Sequence, residues 1–143
     1  MLLSRPVEVH HDTPWTPPSG PVSTLRLALV TTAGLHARGD RPFTVDDPTF
    51  RVIPGAAQPS DLVSSQTSIG FDRTGQTRDL NVVFPIDRVR ELAESGELGG
   101  LAPHHYALLG AQSDSTRVAA ESGGELARRL HEDGADVVLI TPT

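Results

Sequence analysis

Val137-Val138-Leu139-Ile140-Thr141-Pro142-Thr143 is the stretch whose reading decides the fold. Four consecutive aliphatic residues without polar alternation read as a strand covered on both faces, the pattern of a parallel sheet. Pro142 stops it, because proline has no N–H to give to a ladder. Immediately upstream, Gly134 supplies a helix C-cap and Ser113-Asp114-Ser115 an N-cap. Between them Val118, Ala119, Leu126, Ala127 and Leu130 mark the buried face of a helix to about Asp133, weakened in its middle by Gly123 and Gly124. Tyr106 to Leu109, closed by Gly110, reads as the preceding strand. Strand, helix and apolar strand in that order predict an α/β fold with a mainly parallel sheet and flanking helices, Rossmann-like in layout. In such sheets ligands gather at the carboxyl ends of the strands. The loop following Ile140 is therefore expected to carry the site, and a core strand of this kind is expected to need a covering helix. The chain is accordingly read as the amino-terminal portion of a domain whose C-terminal part is missing.

Working outward, Leu25 to Thr31 is a first strand, Phe50 to Ile53 and Asp61 to Ser65 are short strands, and Pro85 to Ser95 is a helix. Val89, Leu92 and Ala93 supply its i, i+3, i+4 face and Gly96 its stop. Residues 33–49 and 66–81 read as two long polar loops. Residues 1–22, with Pro6, Pro14, Pro17, Pro18 and Pro21, read as an extended proline-rich arm anchored by Trp15, and 23–143 as part of one α/β domain.

Aromatic residues are only 4%, so the core must be aliphatic. With 18 acidic against 12 basic residues the net charge is -6, which provides no drive toward phosphate backbones, and nucleic acid is not expected as a partner. Cysteine is absent from the 143 residues, which excludes disulfides, thiolate metal sites and a cysteine nucleophile among them. No segment approaches the ~20 apolar residues of a membrane span or a signal-peptide core, so a cytoplasmic protein without membrane contact is expected.

Thr32-Ala33-Gly34-Leu35-His36-Ala37-Arg38-Gly39-Asp40 places an imidazole and a guanidinium two residues apart after a strand, suited to holding a carboxylate and passing a proton. An Arg38–Asp40 loop salt bridge with His36 merely packed fits the same residues equally well. The second loop offers Asp72 or Asp79 as acid or base and Arg73 or Arg78 as anion clamps, or else solvated ion pairs. His104-His105 is read as surface, since neighbouring side chains on an extended segment face opposite ways and make a poor metal pair. No metal site is expected. A serine hydrolase is a third alternative, but no G-x-S-x-G elbow occurs around Ser113.

Four ordered blocks carry a resemblance. They are Ala33-Gly34-Leu35-His36-Ala37-Arg38-Gly39-Asp40-Arg41-Pro42-Phe43, Asp47-Pro48-Thr49-Phe50-Arg51-Val52-Ile53-Pro54, Arg78-Asp79-Leu80-Asn81-Val82-Val83-Phe84-Pro85, and the closing Val137 to Thr143. Together they resemble the selenoprotein B family of glycine, sarcosine, betaine and D-proline reductases. The resemblance implies reductive cleavage of a carbon–nitrogen bond in a small amino-acid-like or carboxylate substrate, by a selenol or thiol nucleophile that a dithiol or thioredoxin-type reductant restores. It implies selenocysteine or cysteine immediately after Thr143, no cofactor within these residues, reductase partner subunits, and a pyruvoyl group, if any, on one of those. A UGA codon read as stop would end the chain there. On this reading His36 and Asp79 are the catalytic candidates as proton donors, and Arg38, Arg78, Asn81, Thr141 and Thr143 the substrate-binding ones. The alternative is a non-catalytic small-carboxylate-binding subunit that lacks the nucleophile.

Overall fold

The computed structural model describes residues 16–68 and 70–143. Most of the expected arm, including His10, His11 and Trp15, lies outside the described residues.

Seven strands occur among the described residues: β1 (Arg26–Thr31), β2 (Leu35–Ala37), β3 (Arg51–Pro54), β4 (Leu62–Ser64), β5 (Gly100–Leu101), β6 (His104–Ala107) and β7 (Val137–Thr141). β1 is central. β5 and β6 follow one another along one of its edges and β7 occupies the other, all parallel to it, while β3 adds antiparallel to β6. The sheet is thus mixed and mostly parallel. The Rossmann-like expectation is corrected at β3, which joins the sheet antiparallel to β6. The polar loops also hold more order than expected. β2 and β4 pair antiparallel as a separate ribbon, and residues 66–81 contain α1 (Thr74–Arg78) and the start of a 3-10 turn, Leu80–Val82.

α2 (Ile86–Glu94) starts after Pro85 and ends before Gly96, whose φ of 78° only glycine adopts without strain. α3 (Ser115–Val118), a π turn at Ala119–Gly123 and α4 (Gly124–Glu132) run on as one rod, with helical φ and ψ at each junction. The expected apolar face of this rod is only half covered. Ala119 and Ala127 are exposed, and Ser122 is its buried residue. No helix among the described residues is long and apolar enough to cross a membrane.

The core is aliphatic, as expected: Leu29, Ile53, Val83, Ile86, Val89 and Leu98 surround Phe84 between the sheet and α2. Alternation sends Val30 and its partner Tyr106 to the opposite face, where the Tyr106 hydroxyl donates to Asp133 beyond α4. β7 is apolar on both faces, yet Val138, Leu139 and Ile140 stay 36%, 40% and 60% exposed, and no covering helix lies over it among the described residues.

Two buried polar clusters hold this frame. Leu27 pairs with Leu101 and Val30 with Tyr106, so the β5–β6 side carries two more residues than β1 between these pairs. In the resulting gap the Leu29 N–H donates to His105 Nδ1 at 3.1 Å, and the imidazole replaces a missing ladder carbonyl. His105 is fully buried, against the surface expectation, while His104 is exposed beside Asp133. Burial first, then repulsion from Arg90 and His104, lowers the His105 pKa to about 4. The second cluster is Arg51. Its Nε donates to Arg41 O, Nη1 to Thr49 Oγ1 and Phe50 O, and Nη2 to Pro42 O and Asp47 Oδ2, the last at 2.9 Å, over the Phe43 ring. All five donors are satisfied, so this long loop is clamped. Burial alone would raise the Asp47 pKa, but the bonds from Thr49 and Arg51 hold it at about 2. Residues 46–48 then hold the start of the rod: Asp47 O accepts from Gln112 Nε2 at 2.8 Å, Asp46 from Ser113 N, and Pro48 O from Ser122 Oγ at 2.6 Å.

Replacing Arg51 by Met should cost about 3–5 kcal/mol in urea unfolding, since it leaves the Asp47 carboxylate buried without its partner. The unfolded chain binds the His105 proton more readily than the folded one. The stability associated with this group is therefore intact above pH 6.5 and lost as pH falls toward 4. The variant His105→Phe should flatten the pH dependence of unfolding within that window, and should lower stability at pH 7 by roughly 1–3 kcal/mol through the orphaned Leu29 N–H.

Candidate functional site

Parallel pairing of β1 with β6 and β7 brings three strand ends to one place. Thr32, the first residue past β1, joins all three. Its N–H donates to Thr141 O at 3.1 Å, its carbonyl accepts from Gly110 N at 2.8 Å, and its hydroxyl accepts from Thr143 N at 2.8 Å. The Thr143 hydroxyl lies 3.2 Å from the same oxygen. One layer inward, the hydroxyls of Thr31 and Thr141 both donate to Val83 O, at 2.8 and 2.7 Å, filling both its lone pairs. Gly110 has to be glycine, because a Cβ there would lie 2.8 Å from Thr143 O and 3.0 Å from Thr32 Oγ1.

Two cavities flank Gly110. One, of about 210 Å³, is lined by Ser68, Gly70, Phe71, Gly110, Ala111 and Thr143. Its rim is fixed by Gln66, which is buried; Gln66 donates to Thr32 O at 3.3 Å, accepts from Thr67 N and Ser68 N, and receives Arg73 on its carbonyl. The other is an apolar cleft of about 420 Å³ between the strand ends and the helical rod.

The structure places the residues expected from the sequence in three groups. Thr141 and Thr143 stand at the strand ends just described. Asp79 and Asn81 form a second group: Asp79 Oδ1 accepts from Asn81 N and Nδ2 at 2.9 and 2.8 Å, while Asn81 Oδ1 accepts from Asp87 N at 3.0 Å in the first turn of α2. The side-chain and backbone bonds from Asn81 lower the Asp79 pKa, so this carboxyl is ionised at neutral pH. Two residues on, Val83 ties this segment to Thr31 and Thr141. His36 and Arg38 form the third group, on and just after β2. His36 is buried with Nδ1 2.8 Å from Ala37 O, and Arg38 Nε donates to Ser60 O at 2.8 Å. These bonds hold them to the β2–β4 ribbon and the turn that precedes β4. The alternative Arg38–Asp40 bridge is not formed, and Asp40 Oδ1 accepts from Arg41 N at 2.7 Å instead. Arg78 is exposed in the last turn of α1 and makes no ion pair among the described residues.

Thr32 and Gly110 are not among the site residues expected from the sequence, and Gln66 stands there only as one of many polar residues of the second loop. The first two stand where apolar runs stop, which is the signal that marks a strand's carboxyl end. Gln66 has no such signal, because its contact with Thr32 spans 34 residues. Among the described residues no group of three or more His, Cys, Asp or Glu side chains converges to hold a metal ion.

Comparison with known proteins adds the family dimension. Residues 6–143 match the family model described as glycine/sarcosine/betaine reductase selenoprotein B. Similar curated proteins include D-proline reductase subunit gamma of Acetoanaerobium sticklandii, 40% identical over 128 residues, covering 89% of this chain and 52% of that protein. Sarcosine reductase complex component B subunit beta of Peptoclostridium acidaminophilum is 29% identical over 142 residues, 96% of this chain and 32% of that protein. Glycine reductase complex component B subunit gamma of Carboxydothermus hydrogenoformans is 28% identical over 143 residues, again 96% and 32%. The chain therefore spans between a third and a half of the length of these relatives. No solved structure gives a significant match.

Removing the Thr32 hydroxyl with Thr32→Val should speed amide exchange at Thr143 and cost about 1 kcal/mol. Gly110→Ala should displace the end of β7 and cost about 1–3 kcal/mol, seen as a lowered Tm with shifted Thr141 and Thr143 amide resonances.

Proposed function

Because the chain belongs to the glycine/sarcosine/betaine reductase selenoprotein B family, we propose that it is part of a reductase subunit that cleaves a carbon–nitrogen bond of a small amino-acid-like substrate at the carboxyl end of β7. The observation that carries this reading is the delivery of Thr141 to Thr143 into a cavity bounded by Gly110 and Ser68, under the control of Thr32. A selenol or thiol supplied at the next position would contribute an anionic nucleophile for the carbon bearing nitrogen. The cavity of about 210 Å³ beside Thr143 accommodates such a group.

The residues present would do the remaining work. Thr32 orients the Thr143 backbone through the 2.8 Å bond to its N–H. Gly110 lets the Thr143 backbone pack closely against Thr32. Cleavage requires a group to hold the substrate carboxylate and a proton for the departing amine. Arg38 and Arg78 are assigned to the first, with Asn81, Thr141 and Thr143 as polar partners. His36 or Asp79 is assigned to the second; Asp79, being ionised, must first take up the proton it gives. A dithiol would return the two electrons consumed. Partner reductase subunits complete the assembly, and a pyruvoyl group, where one is used, belongs to such a partner.

A second reading is favoured by one observation, the absence of cysteine from the 143 residues. On it the chain is a binding subunit for small carboxylates without chemistry of its own.

The coding sequence beyond codon 143 separates the two. An in-frame continuation after UGA that encodes a cysteine-containing loop and a helix supports the reductase; an ordinary terminator followed by unrelated sequence overturns it and leaves the binding subunit. In the continued protein, Arg38→Ala or Arg78→Ala should raise KM by roughly tenfold to a hundredfold with a smaller change in kcat, measured as dithiol-dependent amine release.

A further inference from the structure

The two cavities beside Gly110 differ in chemistry. The smaller mixes the hydroxyls of Ser68 and Thr143 with Phe71 and Ala111. The larger, about 420 Å³, is walled by Leu108, Leu109, Val118, Ala119, Gly123 and Leu126, and none of its lining residues is charged. Three of its four polar side chains are already engaged, and the fourth, Ser115, is exposed to solvent. Ser122 Oγ donates to Pro48 O at 2.6 Å, Gln112 Nε2 donates to Asp47 O and Leu109 O at 2.8 and 3.0 Å, and the Thr32 hydroxyl is taken up by Thr143. What this cleft offers a ligand is hydrocarbon.

The local helix geometry keeps it open. The π turn at Ala119–Gly123 sits on the cleft wall, and such turns bulge a helix and recur at functional sites. Small residues stand where a larger side chain would fill the space: a Cβ on Gly123 would find only Val118 O, at 4.0 Å. The turn is not free to relax, because Ser122 anchors it to the loop that Arg51 clamps. The opening is thus held by the bonds of Ser122 and Gln112 to residues 47 and 48.

We propose that this cleft binds the hydrocarbon body of the substrate, and that the substrate is a carboxylic or amino acid whose apolar group is larger than that of glycine, sarcosine, betaine or D-proline. The proposal rests on the placement of the substrate's polar end beside Thr143. A glycine-sized zwitterion would leave the cleft empty and find no charged partner within it, whereas an alkyl or ring substituent would gain by leaving water. Gly110 lines both cavities, so the two meet at the strand end.

The test is calorimetric titration of the 143-residue chain with acetate, cyclohexylacetate and cyclohexylmethanol, repeated on Gly123→Leu and Ala119→Phe. Cyclohexylacetate should bind about tenfold or more tighter than acetate, from burial of its ring. Both variants should remove that gain while leaving acetate unchanged. Gly123→Leu replaces a glycine inside the helical rod and should keep or raise Tm, so loss of binding is not loss of fold. If acetate binds and the ring adds nothing, or if the variants bind cyclohexylacetate as the wild type does, the cleft is not a substrate site and the reading at Thr143 stands. If cyclohexylmethanol and cyclohexylacetate bind alike, both are weakened by Gly123→Leu, and acetate is silent, the cleft is confirmed as a hydrocarbon site and the carboxylate reading at Thr143 falls.

Discussion

Five consecutive parallel pairs between β1 and β7, from Leu27 with Val137 to Thr31 with Thr141, are the constraint on which the rest of the molecule depends. Parallel register makes both strands finish at the same level. Thr31 and Thr141 then share the Val83 carbonyl, and Thr32 meets the Thr143 backbone. A one-residue slip of β7 would turn Thr141 to the opposite face of the sheet, separate it from Val83 and carry the end of β7 away from Gly110. The site is a by-product of register before it is a collection of side chains.

The interior that supports this register is aliphatic, but its defects are filled by polar groups. His105 enters a gap in the ladder and serves the Leu29 N–H as a carbonyl would. Arg51 spends every donor it has on a loop that otherwise lacks regular structure. Both devices work in one protonation state only: the imidazole must be neutral, the Asp47 carboxyl ionised. Burial imposes the first and opposes the second, which the Thr49 and Arg51 bonds overcome. The Arg51 cluster also reaches the π turn through Pro48 and Ser122, so it helps shape the wall of the apolar cleft that Ser122 lines.

Family membership and geometry address different parts of the question. The relatives are named as subunits of D-proline, sarcosine and glycine reductases, and each is two to three times as long as the matched region. The geometry identifies where strand ends converge and which hydroxyls, glycine and cavities surround them. The end of β7 at Thr143 stands between a small cavity of mixed lining and a larger apolar one.

Much of the secondary structure could be read directly, because it follows from local rules. Aliphatic runs announced β1 and β7, the Pro85 to Gly96 bracket announced α2, and Gly134, with φ of 66°, ended the helical rod as its type requires. Periodicity could not announce β2, β5 or α1, which are too short to repeat a pattern. Nor could it foresee the burial of His105, which depends on a register offset between two distant segments. By itself the sequence determined the strand and helix types, the aliphatic core and, through four ordered blocks, the family, since these rest on neighbouring residues and their order. Only the tertiary structure decided that β3 runs antiparallel, that Asp79 and Asn81 sit one carbonyl away from the end of β7 while His36 and Arg38 are held in another ribbon, and that Thr32 and Gly110 frame Thr143. Those relations join residues separated by up to 111 positions, and only the folded chain brings them within hydrogen-bonding distance.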